Sequence, residues 1–192
     1  MAYTTAAAVK TYGEISGPGH DTRLELLVPQ AQAAIDRYCN RTFEASADST
    51  RYFDAVRDVS DDFRTLYLDE DLCSITSVTN GDSTSVTGAS YVTEPRNRTP
   101  YYALRLKDSA TVSWTYDTTP ENAISITGKW AFSATAPNDI VLACNRLVLY
   151  LFRNREGEGD RTIMNTSGML VLPAQMPADV RDLLRPYRKI QV

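Results

Sequence analysis

The chain has 192 residues, 43% of them hydrophobic and 23% charged, with a formal net charge of −4. That length fits one domain, or one domain with a large insertion, and can bury roughly 70% of its unfolded surface, so folding requires neither metal nor disulfide. The negative balance excludes a protein that gains its affinity by gripping nucleic-acid phosphates, though not a surface past which DNA slides.

No apolar run approaches the ~20 residues that cross a bilayer, which gives the expectation of no membrane partner. The opening MAYTTAAAVK lacks the basic start and apolar core of a secretory signal, so the chain is expected to stay in the cytosol or in something assembled there. Cys39, Cys73 and Cys144 form no C-x-x-C pair and read as reduced core residues.

In chain order the first element is a short helix, Ala6–Tyr12, capped by Thr4 or Thr5 and stopped at the Ser16-Gly17-Pro18-Gly19 turn. Asp21 or Thr22 can cap a longer helix reaching about Asn40. Its residues Leu24, Val28, Ala31, Ile35 and Tyr38 step by four and three and draw one apolar stripe. Pro29 inside that stripe predicts a kink.

From Arg51 the texture turns to short β-rich runs: Arg51–Phe53, Thr65–Leu68, Ile75–Thr79, Tyr91–Thr93, Tyr101–Leu106, Thr111–Tyr116 and Ile124–Trp130. Asn80-Gly81 is a favoured pair for a tight hairpin turn, because both residues tolerate positive φ. Pro95, Pro100 and Pro120 punctuate the rest.

Pro137-Asn138-Asp139 opens the helix Ile140 to about Arg155. Ile140, Cys144, Leu147 and Leu151 form one apolar stripe, and Leu142 and Leu149 interrupt the polar side that carries Asp139, Arg146 and Arg153. A helix apolar on so much of its circumference must be covered on more than one side, by its own domain or by a neighbouring subunit. Arg155–Gly159 and Asp160–Ser167 read as a loop and Met169–Leu172 as a short strand. Pro177 suits the first position of a last helix, in which Val180, Leu183, Leu184 and Tyr187 face one way and Arg181, Arg185 and Arg188 another. Pro186 ends or bends that helix.

The whole predicts an α+β fold: a helical bundle core of N-terminal helices, a long central helix and a C-terminal helix, with an inserted antiparallel β-rich region. The parts run 1–48, 49–134 and 135–192, as one composite domain.

Chemistry is sparse. His20 has no second histidine to partner it, and no nucleophile elbow or phosphate-cradling glycine loop is present. Asp69-Glu70-Asp71 lacks the spacing of a calcium loop and reads as a charged turn. The arginine row of the last helix could meet an acidic partner or phosphate, or simply be solvated. The acidic run from Asp54 to Asp71, with Asp58, Asp61 and Asp62 in it, is a solvated loop or, in a ring, a channel face that lets a polyanion pass. No catalytic residue, metal ligand or cofactor is nominated.

Several blocks, taken in order, resemble the bacteriophage head–tail connector family, also called adaptors or head-completion proteins. They are Ala33-Ala34-Ile35-Asp36-Arg37-Tyr38-Cys39-Asn40-Arg41-Thr42-Phe43; Leu66-Tyr67-Leu68-Asp69 followed by Ile75 to Gly81; Ile124 to Trp130; Pro137 to Ile140 with the helix Ala143–Arg155; and Met176-Pro177 leading to Leu184-Arg185-Pro186-Tyr187-Arg188. Two departures are Ala131, where glycine often follows the tryptophan, and Asn40, where glycine is common and the left-handed cap still suits Asn.

The resemblance implies a virion structural protein of the capsid–tail neck, assembled in the host bacterial cytoplasm. It implies a homo-oligomeric ring beneath the portal that extends the DNA channel and presents a surface for a stopper or tail-completion protein. A closed ring needs a head-to-tail interface, repeated about twelve times to match the portal. Leu142, Arg146, Leu149 and Arg153 are the expected subunit interface. The family's C-terminal segment docks on the portal, which assigns Val180, Arg181, Leu183, Leu184, Arg185, Tyr187 and Arg188. Genomic DNA would pass the channel without specific binding.

Rival readings are a β-rich sugar- or protein-binding module using Tyr91, Tyr101, Tyr102, Trp114 and Tyr116, or a neighbouring neck component such as a stopper.

Overall fold

A computed structural model describes residues 2–45, 47–156, 163–164, 170–171 and 176–189. It divides into two compact units, Arg41–Ala136 and a second made of Ala2–Asn40 with the chain from Pro137 onward. The loop expected at 155–167 lies largely outside the described residues. Of the strand expected at 169–172, Leu170–Val171 is described, pairing antiparallel with Ile163–Met164.

The first unit is built of strands. They are β1 (Ser49–Phe53), β2 (Thr65–Leu72), β3 (Ser74–Thr79), β4 (Tyr91–Glu94), β5 (Tyr101–Leu106) and β6 (Ile124–Lys129). Two antiparallel three-stranded sheets result, in the orders β1-β6-β3 and β2-β5-β4.

Period-two alternation puts Ile124, Ile126 and Gly128 of β6 inward. Gly128 is needed there, since a Cβ would stand 2.1 Å from the Ser74 carbonyl oxygen of β3. Phe53, Val78, Ile124 and Ile126 from one sheet share a single apolar cluster with Leu66, Leu72, Leu104 and Leu106 from the other. Two tryptophans close this cluster with their ring N–H groups satisfied. Trp114 donates to the Arg64 carbonyl at 3.1 Å and Trp130 to that of Ser49 at 3.0 Å.

The second unit is helical: α1 (Ala6–Gly13), α2 (Asp21–Cys39), α3 (Asn138–Glu156), α4 (Ala178–Leu184) and a 3₁₀ turn over Arg185–Tyr187. Thr5 caps α1 by accepting from the Ala8 N–H at 3.1 Å. The cap position of α2 belongs to His20, not to Asp21 or Thr22 as expected. Asp21 instead pairs with the Lys10 ammonium of α1.

Asn40 ends α2 in the left-handed conformation, φ 53°, the cap anticipated for it. The helix runs unbroken through Pro29, which lies exposed on its outer side. Leu24, Val28, Ala31 and Ile35 are buried as predicted, and Cys39 completes the stripe where Tyr38 was expected.

The α+β class stands, but the helical bundle as core of the molecule is corrected. The strands do not decorate a helical core; they fold around a cluster of their own. Short alternating runs bury one face each and look peripheral singly, yet two facing sheets make a full interior. Two local expectations also fall. Thr111–Tyr116 is not a strand, apart from an isolated bridge between Tyr116 and Gly81. Asn80-Gly81 is not a positive-φ turn, for neither residue has φ above zero.

Candidate functional site

No group of histidine, cysteine or acidic residues suited to a metal occurs among the described residues. Nor is any described helix long and apolar enough to cross a membrane. The candidate site is therefore surface, and it is built on α3 and α4.

α3 faces inward through Ile140, Ala143, Cys144, Leu147, Val148 and Phe152, all buried. Arg23 of α2 locks the far end of that face, donating to the Phe152 carbonyl at 2.7 Å with its guanidinium 4.6 Å from the Phe152 ring. His20 meets the same ring edge-on at 5.2 Å, so the lone histidine is a packing residue. Burial drives the Cys144 thiol up to about 12, helped by the nearby Asp36 carboxylate. That makes it an inert filler.

Of the four residues expected at a subunit interface, Leu149 is only 7% exposed. Its cover is α1 of the same chain: a Cβ on Gly13 would lie 2.6 Å from Leu149 Cδ2. Leu142 and Arg146 are half-buried and Arg153 is exposed. Arg146 donates to the Tyr12 hydroxyl at 3.3 Å and to Asp179 Oδ2 at 3.0 Å, which ties α1, α3 and α4 together. Around this tie lies an open groove of about 700 Å³, lined by Tyr12, Gly13, Glu14, Leu149, Tyr150, Arg153, Pro177, Asp179 and Val180 besides Arg146. Sequence spacing pointed to Arg146, Leu149 and Arg153 on one helix face. The contribution of Tyr12 and Gly13 was not readable, because nothing local says that α1 packs there.

In α4 the apolar and basic faces separate as predicted. Val180 and Leu184 are fully buried in the helical unit, Leu183 and Tyr187 are half-buried, and Arg181, Arg185 and Arg188 are exposed. The segment is pinned to its own unit at the end. Lys189 N–H donates to the Cys39 carbonyl at 2.8 Å, Tyr187 Oη donates to Asp139 Oδ2 at 3.1 Å, and Arg188 stacks 5.1 Å from the Tyr38 ring. Burial, then the Asp139 hydrogen bond, holds the Tyr187 phenol above its usual range. Arg181 lies on α4, Arg185 in the 3₁₀ turn and Arg188 just beyond it, where the chain is extended.

The acidic run divides. Asp58 is half-buried and accepts from the Asp54 N–H at 2.8 Å, while Asp62 accepts from the Arg64 N–H at 3.1 Å and from the Ser60 hydroxyl. Those bonds hold the Asp62 carboxyl below the ordinary carboxylate range, and backbone bonds from Arg57 and Val56 do the same for Asp54. Asp61 is exposed. Asp69, Glu70 and Asp71 are part of β2 and not a turn. Arg51 bridges the first two at 3.0 and 2.8 Å, and Arg41 meets Asp71 at 3.2 Å.

The aromatics proposed for a binding platform do not converge. Trp114 is 1% exposed, Tyr91 and Tyr101 are half-buried, and only Tyr102 and Tyr116 stand out.

A family model described as head completion protein matches residues 2–190. Among solved structures the fold is shared with a chain from the neck of an empty gene transfer agent particle computed with C6 symmetry. Its TM-score is 0.59 at 13% identity, covering 99% of this chain and 91% of that one. A chain from the virion of a native gene transfer agent particle gives a TM-score of 0.60 at 16% identity, with the same coverage of 99% and 91%. No curated protein matches the chain.

Proposed function

We propose a role that starts from membership: the chain belongs to the head completion protein family, and as such is a structural protein, not an enzyme. Its place is the capsid–tail neck of a virion, where it acts as a head–tail connector. Copies close into a ring beneath the portal, extend the DNA channel and present the attachment surface for a stopper or the tail. The family match over residues 2–190 carries this reading. The likeness in fold to chains of gene transfer agent neck and virion supports it.

The helical unit supplies two surfaces for these contacts. The side of α3 with Leu142, Arg146 and Arg153 serves one face of the subunit interface, above the floor set by Leu149. The exposed row Arg181, Arg185 and Arg188 meets the portal, with Leu183 and Tyr187 beside it and Val180 and Leu184 holding the helix in place. Because a row of guanidinium groups suits carboxylates, the portal surface it meets is acidic.

A ring of about twelve copies would match the portal, and head-to-tail repetition of one interface is sufficient to close it. Changing Leu142, which is half-buried, and the exposed Arg153 together to Glu tests the interface without touching the buried floor. Soluble, folded monomers are the expected product, and rings of normal mass would refute the assignment.

A further inference from the structure

The hairpin of β4 and β5 ends in a tip over residues 95–100, which read Pro-Arg-Asn-Arg-Thr-Pro. Its stem is fixed. Tyr91 to Glu94 pair in register with Leu106 to Ala103, and Ala103, Leu104 and Leu106 are fully buried. Pro95 and Pro100 close the tip, and without N–H groups they cannot carry the ladder into it.

The four side chains between the prolines, Arg96, Asn97, Arg98 and Thr99, are all exposed. Each can donate a hydrogen bond, none is acidic and none is apolar. Arg96 keeps one long contact, from its Nε to Glu94 Oε1 at 3.5 Å, which leaves its terminal nitrogens free. Arg98 has no partner among the described residues.

Charge around the tip is unevenly spread. Residues 91–107 hold four cations and one acid, whereas the remainder of Arg41–Ala136 holds five cations and thirteen acids. The other two cations of the hairpin are engaged at its far end. Lys107 Nζ donates to the Ala89 carbonyl at 2.7 Å, and Arg105 lies near the Asp62 carboxylate. Arg96 and Arg98 are left to meet something outside the strand unit.

A protein partner calls for an apolar or aromatic anchor that is desolvated at the centre of the contact, and the tip offers none. A phosphate backbone asks for the opposite. Guanidinium forks and small amide and hydroxyl donors are the groups that meet phosphate oxygens.

We infer that the tip of residues 95–100 touches the DNA backbone, with Arg96 and Arg98 each set on a phosphate. The inference rests on the connector reading, which brings DNA past every copy, and adds a point of grip to it. The acidic remainder of the strand unit repels a polyanion, so the contact stays confined to the tip. Phosphate carries no sequence information, so DNA of any sequence is held alike as it passes.

Titration of the full chain with a fluorescent duplex of about 20 base pairs, starting from about 50 mM salt, tests the contact. Changing Arg96 and Arg98 together to Ser should lower the affinity by about tenfold or more. The slope of log affinity against log salt should fall by about two. Arg57→Ser removes an exposed cation from the acidic run instead, and should change the affinity by less than about twofold.

Equal affinity of the double variant and the unaltered chain would overturn the contact. So would an equal loss from Arg57→Ser, or an unaltered chain that does not bind the duplex. A double variant that binds the duplex normally but yields particles unable to join tails would give the tip a protein partner instead. The connector reading survives each of these failures, because it is judged separately, by the presence of the chain in the neck.

Discussion

The Tyr3 hydroxyl donates to Asp36 Oδ1, and this bond fastens the start of the chain to α2. Tyr3 N–H donates to Gln32 Oε1 at 3.3 Å and Thr4 Oγ1 to Asn145 Oδ1 at 2.5 Å, so the arm spans α2 and α3. Both arm residues are buried, Tyr3 4% and Thr4 5% exposed. α1 is thereby held in position to frame the groove.

Burial pushes the Asp36 carboxyl above the ordinary carboxylate range, and the Tyr3 bond offsets part of that rise. The sign follows. A carboxyl with a raised folded pKa contributes stability that is full below the unfolded pKa and is lost as pH rises through the folded value. Asp36→Asn, whose oxygen can still accept from Tyr3, should therefore raise the melting temperature at pH 7. The gain should shrink as pH falls into the ordinary carboxylate range. Melts of both proteins across that range are the check, and an advantage that grows in acid would contradict it.

Tyr3→Phe removes the donor and leaves Asp36 half-buried with one bond fewer. A loss of about 1–2 kcal/mol is expected in urea unfolding of the full chain. If the arm matters to the groove, the same variant should also weaken ring formation.

In the strand unit, Asn80 is 1% exposed and serves three partners. Its Nδ2 donates to the Ser113 carbonyl at 2.9 Å, and its Oδ1 accepts from Gly81 N–H at 3.0 Å and Thr115 N–H at 3.1 Å. Asn80→Ala strands all three and should cost about 2–4 kcal/mol by urea unfolding. Asn80→Asp buries a charge and sets an acceptor against the Ser113 carbonyl, so it should cost at least as much at pH 7.

These residues show what the sequence could and could not reveal. Asn80-Gly81 was legible as a special pair, but for the wrong reason. Gly81 is required because a Cβ would meet the Thr115 carbonyl oxygen at 2.4 Å, an approach by a segment 34 positions away in the chain. Thr111–Tyr116 alternates like a strand because Trp114 must be buried, and its burial comes from packing and one indole bond, without a ladder.

All six strands were legible and β3 to β6 to within a residue of their ends, whereas β1 was begun two residues late and β2 was stopped at Leu68, four residues short, because the charges of Asp69-Glu70-Asp71 read as a turn. On α3 the stripe Ile140, Cys144 and Leu147 was visible from periodicity, whereas Leu149, expected on the polar side, is buried under a cover that the periodicity did not show. Gly13 reaches it only through tertiary packing, which no local pattern encodes.

The arginine row offers a test independent of the ring. Changing Arg181, Arg185 and Arg188 together to Glu leaves Val180 and Leu184 buried and loses only the Arg188–Tyr38 stacking, so the stability should fall by no more than about 1 kcal/mol. Binding to purified portal should fall at least about tenfold and lose its salt dependence. Unchanged binding would remove the portal from this face.

The most direct test of the connector role is the copy number and position of this chain in purified particles, read by electron microscopy of the neck. The account predicts a closed ring of copies between head vertex and tail, with heads that lose their DNA or fail to join tails when the chain is deleted. Particles that lack the chain, or that carry it as single scattered copies and mature normally without it, would contradict the account.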